Sequence, residues 1–398
     1  MKKSILIFGG GLNQLSLVNT ARNLDLISVV IDPSFEAPAR EVADFFYTVE
    51  RNDYETTKKI AVNHHVSGIV TGQMENPLHL MARLADDLGF IFHSKDIVRR
   101  CTNKLLMKKS WQDHGVPCAK GIHFSPDEKI SSDLLASLTY PLILKPVDSF
   151  SSRGVYKINL FAEIDQYISE TRSFASNGSV LIEEFVDGPE YSIETITYMG
   201  KTTVIQYTEK FITPFPNTVE MGHLQPANLT EEQKSEMNKV VINAINALGI
   251  DNSAAHAELK WTDDGPKMIE IGARLGGDFI SSYLTLASTG INMDKAAIQV
   301  AFGEKPELRQ LYNKYSYIKY FELEADRVVK KIENYDDILL NDEVIQIGVF
   351  LQPGDKTSRI CHSGVRSGFV LVQGDSRDAV LTYANKYAKS LANKIILE

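Results

Sequence analysis

The chain has 398 residues, of which 43% are hydrophobic and 23% are charged, and its formal net charge is −9. This composition is typical of a folded protein, and the length predicts roughly two to four domains. The acidic balance disfavours a general nucleic-acid binder, because phosphate backbones require a basic face. It leaves open a local basic pocket for a phosphorylated small molecule.

The three cysteines, Cys101, Cys118 and Cys361, are widely spaced and none belongs to a C-x-x-C motif. We therefore expect no disulfide framework and no zinc site, and a reducing, cytoplasmic location. The N-terminal apolar run ends at Phe8, before three glycines, which indicates a first strand rather than a signal peptide. No segment approaches the length of a membrane span, so we expect no membrane partner.

Alternating strand and helix patterns over residues 1–95 predict an open parallel sheet flanked by helices. The turn at Gly9–Gly11 would suit a bound dinucleotide, with Asp32 at the end of the next strand. However, the G-x-G-x-x-G pattern requires glycine where Gln14 stands. We favour a tight turn without a dinucleotide, and keep a dinucleotide-binding oxidoreductase as a remote alternative.

The segment SKDIVRRCTNKLLMKKSWQDHGVP predicts one basic helix, with Ser94 as its N-cap, Gly115 just past its end and Pro117 as a stop. Downstream, strands and helices mix up to about residue 300, and a final helix closes the chain. The fold class is therefore α/β and α+β multidomain. The predicted division is 1–95, 96–180, 181–304 and 305–398.

A hairpin near residue 264 would bring acidic side chains together. In AAHAELKW, His256 and Glu258 share one strand face, and the turn TDDGPK folds the chain so that Glu258 opposes Glu270. Opposed carboxylates repel unless they share a proton or hold a hard cation such as Mg²⁺. Arg274, further along, would reach a phosphoryl oxygen. The plainer alternative is a solvent-facing hairpin.

Two upstream elements combine charges with turns. In YPLILKPVDSFSSRGVYKI an apolar strand carries Lys145, and a lysine at the end of a buried strand requires an anion. The serine- and glycine-bearing turn that follows offers N–H groups to phosphate oxygens. In SVLIEEFVDGPEYSIETI, acidic residues surround a chain reversal and would accept hydrogen bonds from an amino group and from ribose hydroxyls. Each element alone is equally compatible with an ordinary turn.

These three elements, in this order and spacing, resemble the ATP-grasp family over about residues 100–300. Members of this family hold ATP between two α+β subdomains and join a carboxylate to an amine. The flanking regions look like the flanking domains of its carboxylate–amine ligases. The resemblance therefore implies a pre-ATP-grasp domain, a two-subdomain ATP-grasp core and a C-terminal mixed domain. The letters RLGGD resemble the amino-acid ligase and carbamoyl-phosphate-synthase-like branches.

The resemblance also implies a nucleotide site on matching positions. Lys104 and Lys145 would contact the ATP phosphates. The other nucleotide-binding residues would be a phosphate loop of Ser151, Ser152 and Gly154, an adenine hinge of Glu183, Glu184 and Val186, and the ribose-binding Glu190.

A metal and transfer site is implied in the same way. Glu258 and Glu270 would bind Mg²⁺, with Mn²⁺ as an alternative, and Arg274 would steady the transferred phosphoryl group and the acyl-phosphate. Many members have asparagine where this chain has Gly272. The number of metal ions is therefore left open.

Three further residues are weaker candidates for contacts with substrate. Glu220 and His223, in the proline-bearing segment TPFPNTVEMGHLQPANLT, would either face the acceptor substrate or lie in a surface loop. His256 shares the predicted metal face, but a structural, hydrogen-bonded histidine explains it equally well.

The predicted function is an ATP-dependent carboxylate–amine ligase, in particular an L-amino-acid ligase, acting through an acyl-phosphate and releasing ADP and phosphate. Its partners would be small-molecule carboxylates and amines, and a homodimer is the default expectation. A purine-pathway ligase of the phosphoribosylamine–glycine type is the main alternative. A nucleotide-binding regulator without turnover is disfavoured, because Lys145, Glu258, Glu270 and Arg274 are all present.

Overall fold

The computed structural model describes residues 2–149, 153–215 and 217–398. Its first strands form a four-stranded sheet with all neighbours parallel, in the order β3-β2-β1-β4, as predicted. The apolar run of β1 is buried along its whole length, which is typical of a parallel strand covered on both faces. The elements of this region are β1 (Ser4–Phe8), α1 (Leu15–Asn23), β2 (Ile27–Asp32), β3 (Phe45–Thr48), α2 (Tyr54–Asn63), β4 (Val66–Thr71), α3 (Leu78–Leu88), α4 (Lys95–Thr102) and α5 (Lys104–Asp113).

The helices α4 and α5 replace the single basic helix that the sequence predicted. That prediction is wrong because Asn103 is extended, with φ −126° and ψ 112°, and its side chain caps a new helix. The outer ends are as predicted: Ser94 is the N-cap of α4, and Gly115 follows α5 with φ +67°. The break places Lys104 in the first turn of α5.

A small antiparallel sheet follows, in the order β5-β8-β6-β7. Its core contains Phe124, Leu144 and Ile182, all without exposed surface. The pairing of β6 with β8 sets Lys145 beside the strand that carries Glu183. The elements are β5 (Gly121–Phe124), α6 (Ser132–Leu135), β6 (Leu142–Pro146), β7 (Tyr156–Ile158), α7 (Ile164–Ser173) and β8 (Val180–Glu184).

An eight-stranded antiparallel sheet dominates the rest, in the order β13-β12-β9-β10-β11-β14-β17-β16. A separate pair, β15 and β18, lies beside it. The elements are β9 (Glu190–Tyr198), β10 (Lys201–Ile212), β11 (Glu220–Gln225), α8 (Glu231–Leu248), β12 (Ser253–Thr262), β13 (Gly265–Gly272), α9 (Thr285–Thr289), α10 (Met293–Ala301), β14 (Tyr315–Phe321), β15 (Val329–Ile332), α11 (Asp336–Leu339), β16 (Val344–Val349), β17 (Gly368–Gly374), α12 (Arg377–Ala392) and β18 (Ile395–Leu397).

The large sheet crosses the predicted boundary between residues 304 and 305, because β11 pairs with β14. The four-part division of the chain stays a prediction. In the ranges that the structure describes, no helix is long and apolar enough to cross a membrane.

The hairpin β12–β13 has one apolar and one charged face. Its apolar face, which includes Ala257, Leu259 and Ile271, belongs to a core shared with α5 and α8. Trp111 of α5 is fully buried there and its Nε1 donates to the Ala244 carbonyl at 3.3 Å. Because side chains alternate along a strand, Glu258 on this hairpin is directed away from that core.

Candidate active site

A cavity of about 570 Å³ lies where the three sheets meet. Its size is that of a small-molecule site, for which about 300–1,000 Å³ is usual. Most of the sequence-predicted site residues line it together: Lys104, Lys145, Glu183, Glu184, Val186, Glu190, Glu220, His223, His256, Glu258, Glu270 and Arg274.

Of the predicted phosphate loop, the structure describes Gly154, which is not among the described residues that line the cavity. Ser151 and Ser152 lie outside the described residues. Gly154 has φ +71°, and a Cβ atom added there would lie 2.8 Å from Cδ2 of Phe174. Glycine at this position is therefore explained by backbone conformation and close packing.

The predicted pairing of Glu258 with Glu270 is confirmed by the strand register. A bulge follows directly, since Leu259 pairs with Met268. Each carboxylate has its own ammonium partner: Lys210 Nζ lies 2.9 Å from Glu258, and Lys104 Nζ lies 3.0 Å from Glu270. Both glutamates line the cavity, so this face is a cavity wall rather than a solvent-facing surface.

Lys210 connects three glutamates and was not predicted from the sequence. Its Nζ lies 2.5 Å from Glu190, 2.9 Å from Glu258 and 3.5 Å from Glu220. Burial lowers the pKa of Lys210, but these three carboxylates outweigh it and raise the pKa well above its ordinary value. The same lysine holds the pKa of Glu258 well below the ordinary range, against the opposing effect of burial. The one weak signal in the sequence is a lysine within the strand VIQYTEKFI.

A second buried cluster joins α5 to the small sheet. Glu183 forms ion pairs with Lys145 at 2.5 Å and with Lys108 at 2.7 Å, and none of the three is more than 5% exposed. Burial raises the pKa of Glu183, but the two lysines outweigh it and leave the pKa lowered. Burial also lowers the pKa of Lys145. Lys108 was missed, although it follows Lys104 by four residues on the same helix face.

His256 lies between two carboxylates. Its Nδ1 is 2.5 Å from Glu194 Oε1, and its Nε2 is 3.4 Å from Glu258 Oε1. Burial lowers the pKa of His256, but Glu194 and then Glu258 raise it to about 9, so the ring is protonated at neutral pH. Ser281 Oγ donates to the other oxygen of Glu194 at 2.6 Å. Glu194 is fully buried and was missed by sequence analysis.

Arg274 lies just beyond the end of β13, where its guanidinium spans two parts of the protein. Nη2 is 2.9 Å from Oε1 of Glu75, in the loop after β4, and Nη1 donates to the Leu275 carbonyl at 2.9 Å. A Cβ atom added at Gly272 would lie 3.0 Å from Cζ of Arg274. Glycine at position 272 therefore leaves room for the guanidinium.

The segment that carries Glu220 and His223 corrects one expectation. These residues belong to strand β11, and His223 is 2% exposed, so the surface-loop alternative is wrong for them. A bulge in the pairing with β10 lets Glu220 and His223, three residues apart, both line the cavity. His223 Nε2 lies 3.0 Å from Asp278 Oδ2, and Arg366 contacts both oxygens of Asp278, at 2.7 and 2.8 Å. Burial raises the pKa of Asp278, but the Arg366 and His223 contacts outweigh it and leave the pKa lowered.

The family follows from comparison with known proteins. The ATP-grasp domain family matches residues 138–282, a range that contains Lys145, Glu183, Glu258, Glu270 and Arg274. This part of the chain is an ATP-grasp domain.

Relatives and solved structures are similar to this chain over a longer range of residues. The chain is 25% identical over 401 residues to the uncharacterized protein y4rH of Sinorhizobium fredii, covering 98% of this chain and 82% of that protein. It is 24% identical over 334 residues to human carnosine synthase 1, covering 77% of this chain but only 40% of that protein's length. The L-amino acid ligase of Bacillus licheniformis superposes with a TM-score of 0.81 at 24% identity, covering 100% of this chain and 98% of that one, which establishes the shared fold.

The ATP-grasp chain offers a hard cation two carboxylates. In the described ranges, no group of three or more His, Cys, Asp or Glu side chains is placed to hold a metal ion. The Glu258–Glu270 pair nevertheless fits one. Only the Oε1 atoms of these glutamates are engaged by described residues, which leaves both Oε2 atoms uncommitted. Two such carboxylate oxygens in the wall of one cavity suit Mg²⁺, which keeps several waters and binds few protein ligands.

The glycine turn of the N-terminal sheet has an internal explanation. The N–H of Gly10 donates to Asp32 Oδ2 at 2.8 Å, and the N–H of Ser34 donates to Oδ1 of the same carboxylate at 2.8 Å. A side chain at Gly10 would crowd Ala39 and Phe46, with atoms at 3.1 and 3.2 Å. These contacts support the predicted tight turn.

Proposed function

We propose that this ATP-grasp protein is a carboxylate–amine ligase that activates its acid as an acyl-phosphate and forms an amide or peptide bond. The observation that carries the proposal is the opposed pair Glu258 and Glu270, set in one cavity with Arg274 and the buried lysines. Such a site can neutralise a transferring phosphoryl group without a protein nucleophile, which is the main requirement of phosphoryl transfer.

In this proposal, the lysines of the cavity hold the ATP phosphates. Lys104 and Lys145 are each held by a carboxylate, at 3.0 and 2.5 Å, so each already lies in a site built for an anionic partner. When ATP binds, these ammonium groups would also donate hydrogen bonds to phosphate oxygens. Lys108 adds a third buried positive charge behind Lys145. The predicted adenine hinge, Glu183, Glu184 and Val186, and the ribose-binding Glu190 line the neighbouring wall.

The acid would be activated between Arg274 and the carboxylate pair. Its oxygen attacks the γ-phosphorus, the bond to the β,γ-bridging oxygen breaks, and ADP leaves. Arg274 would orient and neutralise the equatorial phosphoryl oxygens through Nε and other N–H donors that no described residue engages. Glu258 and Glu270 would hold Mg²⁺, or Mn²⁺ in its place, which when bound neutralises charge on the phosphates.

The amine would then attack the acyl carbon, and phosphate would leave with the bonding electron pair. Glu220 and His223 line the cavity on strand β11, where they would face this acceptor. His256, protonated beside Glu258, would contribute positive charge to the same wall. These roles require only positioning and charge, and the amine's proton is lost as the amide forms.

An L-amino-acid ligase is the form of the activity that we favour. The names of the similar proteins support it: one is an L-amino acid ligase and another is carnosine synthase 1. We also propose a cytoplasmic location, in keeping with three free cysteines, of which Cys361 is exposed. A homodimer and a phosphoribosylamine–glycine type of substrate pair remain predictions for experiment.

The test is to incubate the protein with Mg-ATP and pools of L-amino acids and to measure ADP and phosphate release. Amino-acid-dependent release and an ATP-induced rise in melting temperature are expected. Release only with phosphoribosylamine and glycine would instead support the purine-pathway alternative. Absence of release with every pool, together with no thermal shift by ATP, would refute the ligase proposal.

A further inference from the structure

Glu75 is a carboxylate of the cavity to which the proposed function assigns no role. Glu75 belongs to the loop after β4, at the carboxyl edge of the parallel sheet, where ligands of open α/β sheets bind. Its backbone is fixed, because the N–H of Leu78 donates to the Glu75 carbonyl at 3.0 Å as α3 begins. Its side chain lines the cavity and is 8% exposed.

The position of Glu75 is defined by Arg274. Glu75 Oε1 lies 2.9 Å from Arg274 Nη2, and within the described part of the chain this is the one ion pair that Glu75 makes. A second cation, Lys104, lines the same cavity. Both cations are the groups proposed to receive phosphate oxygens.

Binding of the phosphoryl group would change the balance of charge at Glu75. Arg274 and Lys104 would then share their donors with a phosphoryl group and with ATP. A carboxylate that is 8% exposed would be left with weakened partners. Leaving such a charge without a cation is costly, so a substrate that brings its own cation is favoured.

We propose that Glu75 binds the α-ammonium group of the acid substrate, and so selects an α-amino acid as the molecule that is phosphorylated. This inference rests on the proposed ligase function. During activation the substrate carboxylate must lie against Arg274. In an α-amino acid the ammonium group is carried by the carbon next to that carboxylate, which places it toward the glutamate already touching Arg274. A des-amino acid would leave Glu75 without this cation.

A purely structural role predicts a different pattern. If Glu75 only orients Arg274, its loss would impair the activation of every acid by a similar factor. If it binds the ammonium group, its loss would impair amino acids and spare acids that lack the amino group. The dependence on substrate therefore separates the two roles.

The experiment measures the activation half-reaction with hydroxylamine as the amine, which converts the acyl-phosphate to a hydroxamate. The probes are matched pairs: L-alanine with propionate, L-methionine with 4-(methylthio)butanoate, and L-phenylalanine with 3-phenylpropionate. The proteins are the wild type, Glu75→Gln, Glu75→Asp and the control Glu50→Gln. Glu50 is an exposed carboxylate of the same N-terminal region and does not line the cavity.

For the amino acid that the wild type activates best, we expect kcat/KM to exceed that of the matching des-amino acid by at least about 100-fold. The reason is that the des-amino acid would leave the buried Glu75 carboxylate unpaired. Glu75→Gln should raise KM for the amino acid by at least about tenfold. The same substitution should change KM for the des-amino acid by less than about threefold. Glu75→Asp should recover part of the preference, and Glu50→Gln should match the wild type.

Three results would overturn the inference. If Glu75→Gln impaired the activation of both members of a pair equally, Glu75 would act only as a counter-ion of Arg274. The proposed ligase function would then still stand. A wild type that activates both members of a pair equally would refute it without any variant, even if Glu75→Gln fails to fold. No hydroxamate and no ADP from the wild type with any acid would instead refute the proposed function on which it rests.

Discussion

Gly272→Ala tests whether the glycine in the second hairpin strand exists to make room for Arg274. The added Cβ atom would lie 3.0 Å from Cζ, 3.2 Å from Nε and 3.3 Å from Nη2 of that arginine. Ordinary contacts begin at 3.4 Å, so the guanidinium must withdraw by at least 3.4 − 3.0 = 0.4 Å. A misplacement approaching about 1 Å at a reacting group costs about 100-fold in rate, so we expect kcat to fall about 10- to 100-fold.

The assay is steady-state ADP release, with the free energy of unfolding measured by urea. Stability should change by less than about 1 kcal/mol, because the flexible end of Arg274 can move and alanine restricts the unfolded chain. Gly72→Ala is the matched control, since a Cβ atom there meets only ordinary contacts, the nearest at 3.4 Å from Gln14 Cγ. A Gly272→Ala protein with the kcat of the wild type would refute the reasoning.

Three further predictions concern the carboxylate pair, a buried histidine and the Asp278 cluster. Glu270→Gln should lower kcat for ADP release by at least about 100-fold, because the proposed metal ligand and the Lys104 partner are lost together; activity within about tenfold of wild type would contradict that role. Burial lowers the pKa of His93 from 6.5 to about 4, and neither ring nitrogen has a hydrogen-bond partner among the described residues, so the unfolded chain gains a proton first as the pH falls. This contribution to stability is present above pH 6.5 and is lost toward pH 4, by about 2 kcal/mol between pH 7 and pH 5. His93→Leu should remove that loss in urea titrations, whereas parallel pH dependences of variant and wild type would exclude it. Asp278→Asn should lower the free energy of unfolding by about 3 kcal/mol in urea, because Arg366 would keep a buried charge without its carboxylate; a change under about 1 kcal/mol would show that the pair is not stabilising.

The hairpin shows how far local pattern reaches. Alternation along AAHAELKW and KMIEIG, together with a turn signal, predicted that Glu258 would oppose Glu270, and the strand register confirms it. Two-residue periodicity and a short turn are local properties, so one stretch of sequence is enough to predict which residues of the hairpin oppose each other. The parallel sheet at the N-terminus was predictable for the same reason.

Local pattern failed at Asn103. The basic segment around it has helix-forming residues on both sides, which indicate one helix. The chain instead becomes extended at this residue, and its side chain caps the next helix by accepting from the Leu106 N–H at 3.0 Å. The break has a consequence for the site, because it sets Lys104 at the start of α5, within 3.0 Å of Glu270. Tertiary contact of this kind overrides helix propensity.

The partners of the charged groups could not be read from the sequence. Glu75 and Arg274 are 199 residues apart, and Lys108 and Glu183 are joined across two elements with no shared motif. Their importance comes from burial, since a lysine or a carboxylate inside a protein requires an opposite charge, but the sequence does not say which one. The resemblance to a family supplied the residues expected to touch ATP and metal. The groups that hold those residues in place, among them Lys210, became visible only when the sheets were assembled around one cavity. The choice of substrate should therefore be sought in such supporting charges, and Glu75 is the one whose removal distinguishes an amino acid from a simple acid.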